Sequence, residues 1–117
     1  MICDLTGMEL ANASHYDGAT ATAEAGITAI NVHRGRRHKV VVSPYVHPEY
    51  RAVVRTYTQG MGLTILGDDA DSGLSELEAL VDSEPACLFV QTPNFLGSIE
   101  ELDDLADAIH ERGGLLI

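Results

Sequence analysis

Residues 39–43, Lys-Val-Val-Val-Ser, constrain the fold more than any other stretch of the chain. Three consecutive β-branched residues leave no face for water, so the run reads as a strand buried on both sides, as in a parallel sheet covered by helices. What surrounds it repeats the theme. Pro48 stands at a first helical position, with Tyr50, Val53, Val54 and Tyr57 spaced to share one helical face, and Gly60 and Gly62 end that helix. Leu63 to Leu66 and Ala86 to Val90 read as two further strands, and Leu115 to Ile117 as the start of another. Ser75-Glu-Leu-Glu78 and Ser98-Ile-Glu-Glu101 fit capping boxes, each opening an amphipathic helix. One of these helices stops before Pro85 and the other at Gly113. Toward the start, Met1 to Leu10 reads as the last turns of a helix closed by Gly7. Leu10 to Ala13 reads as a short strand, and Gly18 to about His33 as a helix of mostly small side chains. Alternation of this kind predicts an α/β fold with a parallel sheet and right-handed crossovers. The last strand has no residues after it, so the 117 residues are expected to be part of a larger domain.

The stretch Asn12 to Glu24 forms a strand-to-helix elbow. In an open α/β sheet such an elbow lies at the carboxyl edge of the strands, where ligands bind, and aims free helix amides at them. Asp17 is placed to cap the new helix, which would put a carboxylate where a bound phosphate could otherwise sit. An ordinary cap without functional meaning explains Asp17 equally well.

If the sheet is parallel, three turns share that edge: Ser14 to Gly18, Pro44 to His47, and Gln91 to Asn94. Their convergence argues for a ligand crevice or an interface with His47 and Asn94 as polar contributors. The plainer alternative makes His47 a helix cap and Thr92-Pro93-Asn94 a turn. Lys39 could be considered as a Schiff-base nucleophile. It begins its strand, however, and so lies at the amino edge, as a solvated strand-end charge. No serine sits in a Gly-x-Ser-x-Gly elbow, and neither a Walker loop nor a dinucleotide fingerprint is present. His15, His33, His38 and His110 have no metal-ligand spacing.

Charge narrows the partners. Eighteen acidic residues against seven basic ones give a formal charge of −11, which disfavours nucleic acid because its phosphates would be repelled. Only one of the seven basic residues is a lysine, and an acid-rich, lysine-poor surface suits concentrated salt. Cys3 and Cys87 are far apart and read as reduced thiols rather than a disulfide pair. No apolar run approaches the length of a membrane span and no leader pattern opens the chain, so a soluble, cytoplasmic protein is expected.

Five blocks carry a more specific signal: Ile2-Cys-Asp-Leu-Thr-Gly-Met8, Ala11-Asn-Ala-Ser-His-Tyr-Asp-Gly-Ala-Thr20, Val42-Ser-Pro-Tyr-Val-His-Pro-Glu-Tyr-Arg51, Val90-Gln-Thr-Pro-Asn-Phe-Leu-Gly97 and Gly113-Gly-Leu-Leu-Ile117. Together they resemble subunit 1 of the glycine cleavage system P-protein, the decarboxylating glycine dehydrogenase in its two-chain form. The resemblance spans all 117 residues but only a middle part of the family's chain. It implies an α/β/α sandwich with a mostly parallel sheet, part of the large domain of the aspartate-aminotransferase type (fold type I) of pyridoxal phosphate (PLP) enzymes, truncated at both ends. It implies a heterotetramer with subunit 2, which in this family holds PLP and the Schiff-base lysine. The family reaction decarboxylates glycine and passes the aminomethyl group to the lipoamide of H-protein. By the same resemblance His47 matches a position where related domains stack a histidine on the cofactor ring. Asp17 departs from what a phosphate needs, so this copy is expected to hold no cofactor and to carry no catalytic residue or metal. Ser14, Tyr16, Asp17, Gly18, His47, Thr92 and Asn94 are the residues expected near the active-site edge. A non-catalytic α/β binding or regulatory domain is the competing reading.

Overall fold

The computed structural model describes residues 1–69, 74–81 and 84–117, the side chains of 74 and 75 excepted. Its elements in order are α1 (Ile2–Thr6), α2 (Gly18–Val32), β1 (Lys39–Val42), α3 (Pro48–Thr58), β2 (Thr64–Leu66), α4 (Leu74–Val81), β3 (Cys87–Phe89), α5 (Asp103–Glu111) and β4 (Leu115–Leu116). The four strands form one sheet in the order β2-β1-β3-β4, and every neighbouring pair is parallel. Val40 is in register with Ile65 on one side and Cys87 on the other, and Leu88 with Leu116.

Pleating sends the valine run both ways, as a strand buried on two faces requires. Val40 and Val42 join Cys87 and Phe89 in a core with Ala23, Ala29 and Ile30 of α2 and Val54 of α3. Val41 and Leu88 point to the opposite face and pack with Leu77 and Val81 of α4 and Leu105 and Ile109 of α5. The result is a three-layer α/β/α sandwich. The small side chains of α2 allow close seating: a Cβ on Gly26 would stand 2.9 Å from the ring of Phe89.

Several sequence expectations need correction. Leu10 to Ala13 forms no strand; all four residues are exposed and the described sheet has four strands, not five. With a single large apolar side chain, Leu10 at 87% exposure, the segment has nothing to bury against a neighbouring strand. The capping box at Ser98 is also absent, since α5 starts only at Asp103 and Ile99 is 82% exposed. Tyr57 does not share the buried face of α3; Val54 is buried, whereas Tyr57 is 43% exposed. The box read at Ser75 involves side chains outside those described. No helix among the described residues is long and apolar enough to cross a membrane.

Candidate functional site

The elbow before α2 is a reciprocal cap. Asp17 has extended backbone (φ −154°), and its Oδ1 accepts from the Thr20 amide at 2.7 Å and the Thr20 hydroxyl at 2.8 Å. Thr20 Oγ1 in turn accepts from the Asp17 amide at 3.2 Å. The Thr20 amide foremost, and then its hydroxyl, hold the Asp17 carboxyl below its usual range. An ionised carboxylate therefore sits at the positive end of the helix, and a second anion arriving there would be repelled. The next residue, Gly18, lies against Tyr50, whose hydroxyl and ring would have to shift to admit a Cβ there.

Tyr50 leads to His47. His47 caps α3 by accepting the Glu49 amide on Nδ1 at 3.2 Å, which assigns its ring proton to Nε2. Its own amide donates to Gln91 Oε1 at 2.9 Å, tying the turn after β1 to the turn after β3. The His47 ring lies 5.3 Å from Tyr50 and 4.8 Å from Phe95, the latter edge-on at 72°. A cavity of about 350 Å³ opens beside it, walled by Val46, Phe89, Val90 and Ile117, with Thr22, His47, Tyr50 and Gln91 as its polar lining.

Asn94 organises the third turn. Buried to 7% exposure, it accepts the amides of Leu96 and Ser98 on Oδ1 at 2.9 and 3.0 Å, and it donates from Nδ2 to Glu100 Oε1 at 2.6 Å. The Phe95 amide donates to Tyr45 O at 2.9 Å and sets the aromatic ring against His47. Glu100 Oε2 is buried without a hydrogen-bond partner among the described residues.

Contacts thus run without a break from Gly18 through Tyr50 and His47 to Phe95 and Asn94, along the carboxyl edge of the sheet. Asp17 adjoins this line as the cap of α2. Ser14 (φ 71°), Tyr16 at 93% exposure, and Thr92, which precedes a cis Pro93, are exposed and do not line the cavity. Sequence reasoning named neither Thr22 nor Tyr50 for this site. Spacing puts Thr22 one turn beyond Gly18 and Tyr50 three residues after His47, but only the contact between α2 and α3 brings the two to one cavity. Lys39, the sole lysine, opens β1 at the opposite edge. No group of three or more metal-ligating side chains occurs among the described residues.

A parallel sheet covered on both faces, with a concave rim at the carboxyl ends of its strands, defines an α/β/α sandwich consistent with the fold type I class. The comparisons with known proteins narrow the class. Residues 1–117 match the family model for the glycine cleavage system P-protein, and the chain belongs to that family. A relative described as "Probable glycine dehydrogenase (decarboxylating) subunit 1", from Koribacter versatilis (strain Ellin345), is 45% identical over 122 residues, covering 100% of this chain and 27% of the relative. The counterpart of the same description from Desulforamulus reducens is 48% identical, covering 100% of this chain and 26% of its own length. Among solved structures, the glycine decarboxylase (P-protein) of the glycine cleavage system in inhibitor-bound form superposes with a TM-score of 0.81 at 43% identity. That match covers 98% of this chain and 26% of the solved one. The chain therefore spans about a quarter of the length of these relatives.

Proposed function

We propose that this chain is one part, truncated at both ends, of the large domain of a P-protein subunit 1, and that it serves as the cofactor-less partner of a PLP-bearing subunit 2. In the assembled heterotetramer, glycine is decarboxylated and its aminomethyl group passes to the lipoamide of H-protein; when bound in subunit 2, PLP supplies the electron sink. The relatives' descriptions, over the whole of this chain, support the assignment to subunit 1. A cytoplasmic location accords with this reading.

The observation that carries the cofactor-less role is the Asp17 cap. The helix start where a cofactor phosphate would be expected holds a carboxylate bonded to Thr20, so these residues do not fit a phosphate. Two other observations agree with it. Tyr50 abuts Gly18, and the sole lysine lies at the far edge of the sheet. The work left to this rim is positional: His47, Tyr50 and Phe95 offer a rigid aromatic wall, and Ser14, Tyr16 and Thr92 are the exposed candidates for contact with subunit 2.

The test is reconstitution. This chain incubated with PLP and passed through gel filtration should retain no visible absorbance band. The complete subunit 1 should co-purify with subunit 2 and restore glycine-dependent CO2 exchange. A retained band on this chain refutes the cofactor-less role, and loss of both co-purification and exchange refutes the assignment to the enzyme.

A further inference from the structure

The opposite edge of the sheet carries most of the chain's positive charge. Of seven basic residues, Arg51 and Arg55 belong to α3 and both bind Asp68. The other five are Arg34, Arg36, Arg37, Lys39 and Arg112, all on segments at the amino ends of the strands. His33, Arg36 and Arg37 line a cavity of about 400 Å³ there, together with Glu84.

Two of its three basic groups are locked. Arg37 donates from Nη1 to Pro85 O at 2.9 Å and from Nη2 to Arg112 O at 2.6 Å, which leaves three of the guanidinium's five N–H groups. The His33 ring is held by Nε2 against Ala86 O at 3.1 Å, so Nδ1 is its remaining polar atom. Helix-end capping explains a basic residue here in general, since cations favour the negative end of a helix. Arg36 meets that description only in part: its Nε–H donates to the helix-end carbonyl of His33 at a long 3.4 Å, and its Nη groups make no hydrogen bond among the described residues. An arginine with open Nη groups beside a second arginine with N–H groups to spare is a donor set for an oxyanion, and His33 Nδ1, an acceptor once Nε2–H donates to Ala86 O, can take the hydrogen of a protonated phosphate oxygen.

We propose that the His33–Arg36–Arg37 cavity at the amino edge of the sheet binds the phosphate group of a small molecule. The open guanidinium of Arg36 and the three remaining N–H groups of Arg37 suit the several oxygens of a phosphate, and the volume leaves room for the organic moiety that carries it. Glu84 opposes the ligand's charge and sets a ceiling on affinity. The site is independent of the carboxyl rim and of the role proposed for it.

Inorganic phosphate, glycerol phosphate and malonate would each be titrated into the chain, with sodium chloride holding ionic strength constant. Binding would be read by calorimetry and by NMR of the Arg36 Nε–H and His33 ring signals. Glycerol phosphate should bind saturably, at least as well as inorganic phosphate, and shift both signals. Arg36→Gln, which removes none of the Arg37 carbonyl bonds, should weaken binding by about tenfold or more. Glu84→Gln should tighten it, and Arg55→Gln, on the far edge, should leave it unchanged. Absence of a saturable response, malonate binding equal to phosphate, or indifference to Arg36→Gln would each overturn the proposal.

Discussion

Replacing Gly26 by alanine measures how closely α2, and with it the Asp17 elbow, is seated on the sheet. The new Cβ would meet Phe89 Cζ at 2.9 Å and Cε2 at 3.3 Å. Carbon atoms rest at about 3.5–4.0 Å, so ring or helix must retreat by roughly half an ångström or more. Phe89 is 1% exposed and packed among Ala23, Val42 and Val46, so the ring can yield only toward the cavity beside His47 that it also walls. Two effects oppose each other. Alanine in place of glycine favours the helix by about 1 kcal/mol, whereas overpacking a core costs about 1–3 kcal/mol. Because the ring has only that one direction of retreat, the middle to upper part of that cost applies, and the net loss is about 0.5–2 kcal/mol, or roughly 2–8 °C in melting temperature. Phe89→Leu alone should also destabilise, by about 1 kcal/mol, through the void it leaves. Combined, the leucine should relieve the clash, and the double variant should be less destabilised than the sum, with a coupling of about 0.5–2 kcal/mol. Urea denaturation of the four proteins completes the cycle. A Gly26→Ala variant more stable than the parent, or strict additivity with Phe89→Leu, would refute the close seating of the helix.

Three further predictions address charge and the thiols. Hydrogen bonds to Thr20 lower the folded-state pKa of Asp17 below its ordinary 3.8, so its contribution to stability is present above that value and is lost as pH falls through the folded pKa. Asp17→Asn should therefore flatten the acid limb of the melting curve below pH 3.8, and an unchanged limb would count against the cap. Burial pushes the Cys87 thiol up to about 12, so its contribution to stability is full below the ordinary 9.0 and declines as pH rises toward the folded value. Iodoacetamide at mildly alkaline pH should accordingly label Cys3, which is partly exposed, and spare Cys87 until the chain is unfolded, as mass spectrometry of the labelled peptides would reveal. The charge of −11 should make stability rise with added salt, because screening shortens from about 10 Å at 0.1 M to about 3 Å at 1 M. A melting temperature indifferent to sodium chloride over that range would show that self-repulsion is unimportant here.

Legibility of the fold tracked how many independent patterns agreed on an element. Val40 to Val42 could be assigned because an unbroken β-branched run and the helical pattern opening at Pro48 both indicated one buried strand, and register with Thr64–Leu66 and Cys87–Phe89 bears this out. Leu10 to Ala13 had only its position before a helix to recommend it, and no neighbouring strand rewards it with a ladder. At the rim, the chemistry of Asp17 and His47 was readable because a cap is a local structure. Both residues do cap their helices, and the same geometry brings them beside Gly18 and Gln91. Capping and rim placement, set against each other in the sequence, are therefore not exclusive. Tyr50 and Thr22 were hidden because their role depends on α2 and α3 meeting, a tertiary fact that four-residue patterns do not contain.

Ser98 shows how a correct local pattern can lose. Ser98-Ile-Glu-Glu101 contains every residue a capping box requires, yet its serine is already committed to the preceding loop. The Ser98 amide donates to Asn94 Oδ1, and its carbonyl accepts from the Asn94 amide at 2.8 Å. Asn94 is buried and its own side chain is further anchored by Glu100, so releasing Ser98 to start a helix would strand polar groups away from water, at about 1–3 kcal/mol for each. A box contributes less, about 1 kcal/mol. Helix α5 consequently begins five residues later, after Leu102, which provides no side-chain cap. Asp103 and Asp104 in its first turn offer the carboxylate charge that a helix start favours. Asn94, which displaced the predicted helix start, also ties down the Leu96 amide, and between the two Phe95 donates its amide to Tyr45 O with its ring against His47, so one loop both delays α5 and shapes the rim.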